Sequence, residues 1–305
     1  MRVFVAGASG AIGRPTVGRL IEAGHEVVGM TRSGERAEQI RAAGAEAVVC
    51  DAFDAEGLRE AVAAAGPEVV VHLLTALPQR YDRKSDWLGP TNRIRVEGTR
   101  NLIAAAVAAG ARRMVAESIA FVYRWEGGWV KDEEALIEDQ AGPGQAIGSL
   151  EEQVRDADLE GLVLRYGWLY GPGTYYERGG QEALEVERRR FPIVGKGTGT
   201  FSFVHVEDAA AATVAAVESG GPGAYNVVDD EPAPLREWVP VYARALGAKP
   251  PRRVPVWLAR LVAGEEVARG AVELRGASNA KAKRELGWQP AHASWRQGFF
   301  AALAS

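Results

Sequence analysis

The feature that most constrains this chain is a glycine turn near its start. Gly7-Ala8-Ser9-Gly10-Ala11-Ile12-Gly13 follows the apolar run at residues 2–6 and opens a helical pattern over residues 11–23. Three glycines at that spacing, between a strand and a helix, have a physical use. Gly7 permits the tight turn, Gly10 lets the backbone approach a pyrophosphate, and Gly13 lets helix and strand pack closely. The helix start then offers unpaired N–H groups and partial positive charge to phosphate oxygens. Gly7, Ser9, Gly10, Ala11, Ile12 and Gly13 are therefore expected to cradle a dinucleotide. An ordinary glycine turn is the alternative.

The rhythm set by this unit continues. Strand-like runs at residues 2–6, 26–30, 47–49, 68–73 and 113–117 are Val-rich and nearly continuous in apolar character. That suits parallel strands covered on both faces. Helical runs fall between them, at residues 35–43, 54–65 and 93–109, with Gly24, Gly44, Gly66 and Gly110 as stops. The pattern predicts an α/β fold, a Rossmann-type doubly wound parallel sheet. The second half is less regular. A long loop over residues 120–144 precedes a helix at 146–159, a strand at 162–166 and a helix at 206–218. Residues 1–165 are expected to form the dinucleotide-binding domain. Residues 166–305 would form a smaller substrate lobe, with some later segments returning to the first domain.

Composition excludes several classes. The chain has 305 residues, 47% apolar and 25% charged, an ordinary globular balance. Its 36 basic and 40 acidic side chains give a net charge of −4, which argues against a nucleic-acid partner. A single cysteine, Cys50, leaves no internal disulfide and fits a reducing compartment. The most apolar stretch, residues 69–77, is far short of the roughly 20 residues that span a bilayer. A soluble cytoplasmic protein without a membrane partner is expected. His25, His72, His205 and His292 show no close ligand spacing, so no metal is expected. A G-x-S-x-G nucleophile elbow is also absent.

Several further segments carry a family likeness. They are Val49-Cys50-Asp51-Ala52, Glu97-Gly98-Thr99-Arg100-Asn101-Leu102, Leu164-Arg165-Tyr166-Gly167-Trp168-Leu169-Tyr170-Gly171-Pro172-Gly173, Val204-His205-Val206-Glu207-Asp208 and Lys283-Arg284-Glu285-Leu286-Gly287-Trp288. With the glycine turn, they make the chain resemble the extended short-chain dehydrogenase/reductase family, its epimerase/dehydratase-like group, nearly end to end. The resemblance implies that Asp51 and Ala52 flank the adenine of a bound dinucleotide. It implies that Leu73, Leu74 and Thr75 line the ribose and nicotinamide side, and that Tyr166 approaches the nicotinamide. Strand-end packing is the plainer account of each. Related proteins often pair through helices of the sheet, so a homodimer is consistent with it.

The second strand selects the nucleotide. Folds that prefer NAD usually end this strand with an acid that bonds the adenosine ribose. Here it ends Gly29-Met30-Thr31-Arg32-Ser33, and the first carboxylate is Glu35. Thr31 stands in the acid's place, Arg32 offers a planar fork to a 2′-phosphate, and Ser33 offers a hydroxyl. NADP (as NADPH) is expected over NAD; a solvated Arg32 at a helix start is the alternative.

The family's usual chemistry uses a tyrosine with a lysine four residues later and a nearby serine or threonine. The eight tyrosines are followed at that spacing by Ser85, Gly127, Tyr170, Thr174, Gly179, Gly180, Asp229 and Leu246. None is lysine. Where the family places the couple, the chain reads Gly142-Pro143-Gly144-Gln145-Ala146-Ile147-Gly148-Ser149. Counting back from Tyr123, the family's hydroxyl position falls on Ile119, beside Ser118. Ser118 and Tyr123 are the remaining candidates for catalysis. Arg95 holds the place of the family's mid-helix asparagine, with Asn92 one turn earlier. General acid–base catalysis contributes about 10²–10⁴-fold, so its loss does not forbid hydride transfer, whose chemistry belongs to the cofactor. Another acid, a water, or a substrate that needs little protonation must then serve.

Aromatic residues mark the substrate side. Trp125 and Trp129 follow the fifth strand, Trp168 follows the sixth, and Tyr175 and Tyr176 lie in the next loop. Such rings suit a hydrophobic, aromatic small molecule, or else build the core of the small lobe. The expected function is an NADP-dependent oxidoreductase of a carbonyl or enone-type substrate with a non-standard proton donor. A non-catalytic NADP-binding sensor and a nucleotide-sugar epimerase or dehydratase are the alternatives.

Overall fold

The computed structural model describes residues 1–82, 85–138 and 142–304. Seven parallel strands form one sheet: β1 (Arg2–Ala6), β2 (Glu26–Thr31), β3 (Glu46–Val49), β4 (Val69–His72), β5 (Arg113–Ile119), β6 (Glu160–Tyr166) and β7 (Gly223–Val227). Their order across the sheet is β7-β6-β5-β4-β1-β2-β3. The order reverses between β1 and β4, which opens a crevice at the carboxyl ends of those strands. Strand β7 comes from the second half of the chain and pairs with β6, Val227 opposite Tyr166.

Both faces are covered, and this accounts for the Val-rich strands. On one face Val3, Val5, Val71 and Val115 pack with Val17 and Leu20 of α1 (Gly13–Glu22) and with Ala209, Ala212 and Ala216 of the helix Val206–Glu218. On the other, Phe4, Ala6, Val70, Met114 and Ala116 pack with three helices. These contribute Leu58 and Val62 of α3 (Ala55–Ala65), Leu102 and Ala105 of α5 (Thr99–Ala108), and Leu150 and Val154 of α6 (Gly142–Arg155). Helix α2 (Gly34–Ala42) contributes Ile40 to the first face. A second core of Tyr170, Phe203, Trp238, Tyr242, Trp295 and Phe299 holds the smaller lobe together.

Two expectations are revised. The helix expected over residues 93–109 is three pieces: α4 (Gly89–Arg93), a π turn (Ile94–Gly98) and α5. Gly98 fits here because a Cβ on it would already lie 3.3 Å from Ile94 Cγ2 and 3.5 Å from Ala52 Cβ. Single π turns gather at functional sites. The expected loop over residues 120–144 contains a short strand, Val130–Lys131, paired with Gly276–Ala277. Residues 139–141 of that loop lie outside the described residues. Among the described residues, no helix is long and apolar enough to cross a membrane.

Candidate active site

The glycine turn sits at the mouth of the crevice. Gly7 has φ +92°, and a Cβ on it would lie 2.5 Å from the Leu73 carbonyl oxygen. A Cβ on Gly13 would lie 2.1 Å from the Gly7 carbonyl oxygen, whereas one on Gly10 stays 3.3 Å away. Gly7 and Gly13 are thus imposed by backbone packing, and Gly10 leaves the approach to the helix start open. Gly173 lies against the same turn, its Cβ position 3.5 Å from Ala11 Cβ. The loop from the smaller lobe therefore straps the cradle. These residues fit the diphosphate of a dinucleotide.

At the end of β2, Thr31 is buried and its Oγ1 lies 3.3 Å from Ser9 Oγ. Ser33 Oγ caps α2 by accepting from the Arg36 N–H at 3.4 Å, which leaves its own proton free to donate. Arg32 is exposed, and its guanidinium has no partner among the described residues. Ala52 is buried, and its carbonyl accepts from Asn101 Nδ2 at 2.9 Å. Asp51 is exposed and caps the Phe53 N–H at 3.0 Å. Leu73 is buried, Leu74 half-buried and Thr75 exposed at the end of β4.

His72 ends β4 inside the core. Its Nδ1 accepts from the Leu74 N–H at 3.2 Å, so Nε2 carries the proton and donates to Thr99 Oγ1 at 2.9 Å. Burial, aided by Arg95, pulls its pKa down to about 4. The unfolded chain then binds this proton below about pH 6.5, while the folded chain does not until about pH 4. Stability attributable to this neutral ring is complete above the unfolded value and falls as pH drops, by roughly 1.4 kcal/mol per unit within that window. The difference in urea stability between the parent and His72→Gln should therefore shrink between pH 7 and pH 4.5. An unchanged difference would contradict a neutral His72.

The carboxyl end of β5 carries a buried polar network. Ser118 Oγ donates to Glu151 Oε1 at 2.6 Å, and Arg165 holds both Glu151 oxygens, at 2.9 and 2.6 Å. Arg165 Nη1 donates to the Tyr123 hydroxyl at 3.0 Å, and that hydroxyl donates to Asn226 Oδ1 at 2.7 Å. Tyr123 is buried among Ala120, Val228 and Ala277, and burial pushes its pKa up to about 12. Tyr166 is buried as well; its hydroxyl lies 2.7 Å from Thr213 Oγ1, and burial raises its pKa.

Two pairings escaped the sequence reading, which had noted Arg95 in the place of the family's asparagine but not its partner. Arg95 reaches from the π turn to Glu117 of β5, with Nε 3.8 Å from Oε1 and both side chains buried. Burial raises the Glu117 pKa and Arg95 opposes the rise. A carboxylate inside an otherwise apolar strand was the available signal. Tyr81 and Trp87, in the loop after β4, stack at 4.3 Å, and Tyr175 meets Tyr81 edge-on at 5.2 Å. The Tyr175 hydroxyl donates to the Pro78 carbonyl at 2.6 Å, tying that loop to the smaller lobe.

The expected substrate aromatics divide. Trp168 stacks on Phe121 at 4.1 Å and tilts against Phe201 at 5.5 Å. Arg269 lies 5.2 Å from the Trp125 ring, and Arg275 lies 4.1 Å from the half-exposed Trp129. Tyr176 is a core residue of the lobe, packed on Phe203, Trp238 and Tyr242. Among the described residues no cluster of His, Cys, Asp or Glu could hold a metal ion.

Comparison with known proteins gives four results. The model of the NAD dependent epimerase/dehydratase family matches residues 3–227. A 3-diazoavenalumate denitrifying reductase from a Streptomyces species is 49% identical over 98% of this chain and 99% of its own length. A 2-alkyl-3-oxoalkanoate reductase of Stenotrophomonas maltophilia is 28% identical over 81% of this chain and 76% of its own. Among solved structures, the Thermus thermophilus UDP-glucose 4-epimerase in complex with NAD superposes with a TM-score of 0.77 at 22% identity, covering 99% of this chain and 97% of that one. That likeness concerns the fold.

Proposed function

The chain belongs to the NAD-dependent epimerase/dehydratase family, and on that premise we propose that it is an NADPH-dependent reductase of an electron-poor aromatic substrate bearing a diazonium group. Gly7, Gly10 and Gly13 would hold the diphosphate, Arg32 and Ser33 the 2′-phosphate, and Ala52 the adenine. When bound, the reduced dinucleotide supplies a hydride, whose electron pair becomes the new C–H bond while the C–N pair leaves on dinitrogen. No proton is consumed.

One observation carries this reading. The two hydroxyls singled out as candidate acids, Ser118 and Tyr123, each donate into the buried network, to Glu151 and Asn226. No tyrosine–lysine couple stands in for them in the sequence. A carbonyl must gain a proton on oxygen when reduced, whereas a diazonium loses dinitrogen and needs none. The diazo group named for the 49% identical relative fits the same demand. The chain's own part is placement: the aromatic residues Phe121, Trp168 and Tyr175 offer flat apolar contact to a ring.

NADPH oxidation by an aryl diazonium salt, corrected for the enzyme-free rate, tests the reading against ketones and enones. Turnover of the diazonium in preference to the carbonyls is expected. Ser118→Ala and Tyr123→Phe should keep turnover within about threefold, whereas losing a general acid costs about 10²–10⁴-fold. Carbonyl turnover that collapses in Tyr123→Phe would replace this reading with an acid-assisted ketoreductase. Arg32→Ala should weaken NADPH by about tenfold, the scale of a charged hydrogen bond, and leave NADH unchanged. Equal losses for both nucleotides would contradict the 2′-phosphate contact.

A further inference from the structure

Arg95 and Glu117 form a buried couple in which Arg95 Nη1 donates to Asn92 Oδ1 at 3.2 Å while two facing atoms are left unpaired. Arg95 Nε and Glu117 Oε1 are both buried, and neither makes a hydrogen bond among the described residues. They face each other at 3.8 Å, with side chains 7% and 9% exposed. Buried polar groups left unpaired are rare and call for a cause. Here one N–H donor and one carboxylate acceptor stand side by side, each with its bonding capacity unspent.

Their place in the fold is specific. Strand β4 ends at His72, opposite Ala116, so Glu117 is the first residue of β5 beyond the end of β4. Strand alternation puts Glu117 on the face of Val115, the face covered by α1. Arg95 comes from the π turn that leads into α5, which covers the opposite face. The couple therefore bridges the carboxyl edge of the sheet, where ligands of such sheets lie. It stands two strands from the glycine turn of β1, about 10 Å at ordinary strand spacing. That is where the redox end of a dinucleotide held by its diphosphate at Gly7–Gly13 must fall.

We propose that Arg95 and Glu117 hold the carboxamide of the nicotinamide ring, Arg95 Nε–H donating to its oxygen and Glu117 accepting from its NH₂. A primary carboxamide presents an acceptor and a donor from one carbon, which matches a donor and an acceptor set side by side. A carboxylate in its place would meet the Glu117 charge and lose the second bond. Fixing the carboxamide fixes the ring's rotation, and with it the face presented to the substrate. The couple is a positioning device, and it rests on the dinucleotide reading given above.

The test is nucleotide binding, read by titration calorimetry without turnover. The ligands are NADP⁺, its nicotinic acid analogue with a carboxylate for the carboxamide, and 2′,5′-ADP, which lacks the nicotinamide half. The parent should bind NADP⁺ at least tenfold more tightly than the acid analogue. Glu117→Gln, whose amide can donate to a carboxylate, should narrow or reverse that ratio. Arg95→Met should weaken NADP⁺ about tenfold, and neither change should move 2′,5′-ADP. An unchanged ratio in Glu117→Gln overturns the proposal, as does a parent that does not distinguish the two nucleotides. The Glu117→Gln ratio decides alone if Arg95→Met fails to bind 2′,5′-ADP. Tighter binding of NAD⁺ than NADP⁺ would instead count against the Arg32 contact, and NAD⁺, its acid analogue and AMP would then carry the same comparison.

Discussion

Gly13→Ala should abolish measurable dinucleotide binding and lower the melting temperature by several degrees. The added Cβ would lie 2.1 Å from the Gly7 carbonyl oxygen and 2.9 Å from the Ala8 carbonyl carbon. Both are backbone atoms, so no rotamer change relieves the contact. The turn must open, and the helix start moves off the phosphate position. Overpacking of this kind costs about 1–3 kcal/mol, or roughly 2–5 °C for a chain of this size. Gly10→Ala is the control, because its Cβ position is 3.3 Å from the nearest atom. It should keep the melting temperature within about 2 °C of the parent, a small surface-scale effect. Equal melting temperatures for the parent and Gly13→Ala would show that the turn packs otherwise than described.

The second large effect concerns Arg165. It binds both oxygens of Glu151 and the Tyr123 hydroxyl, and all three side chains are buried. Arg165→Met leaves the Glu151 carboxylate with Ser118 as its remaining described partner. Removing one member of a buried pair costs about 3–5 kcal/mol, because the other charge stays desolvated. The melting temperature should fall by about 5–8 °C. Replacing both members, Arg165→Met with Glu151→Leu, should recover much of the loss, since an apolar pair carries no stranded charge. A loss below about 1 kcal/mol in Arg165→Met would mean that water reaches the network.

The cradle and the sheet were legible because both rest on local rules. Gly7 and Gly13 announce a turn that tolerates no Cβ, and Val-rich runs between helix patterns announce parallel strands. Strand β1 spans the residues expected, and helix Val206–Glu218 does too. The π turn was not legible, because residues 93–109 have an unbroken helical pattern, and Ala52, beside which Gly98 lies, is distant in the sequence. Tyr123 and Ser118 were legible as hydroxyls near a strand end. Their engagement was not, since Glu151, Arg165 and Asn226 come from distant segments. Tyr176 shows the same limit: an aromatic in a loop reads as a pocket residue, yet its ring fills the lobe's core. Glu117 stood in plain view within β5, but the partner that gives it meaning arrives from the π turn.

The central claim is that hydride reaches an aromatic carbon as dinitrogen departs. NADPH carrying deuterium at C4, prepared in both stereochemical forms, tests it directly with an aryl diazonium salt and mass analysis of the product. The expected result is one deuterium on the ring carbon that held nitrogen, from one of the two forms, with one dinitrogen released per NADPH oxidised. An unlabelled arene from both forms, or no NADPH oxidation above the enzyme-free rate, would contradict it.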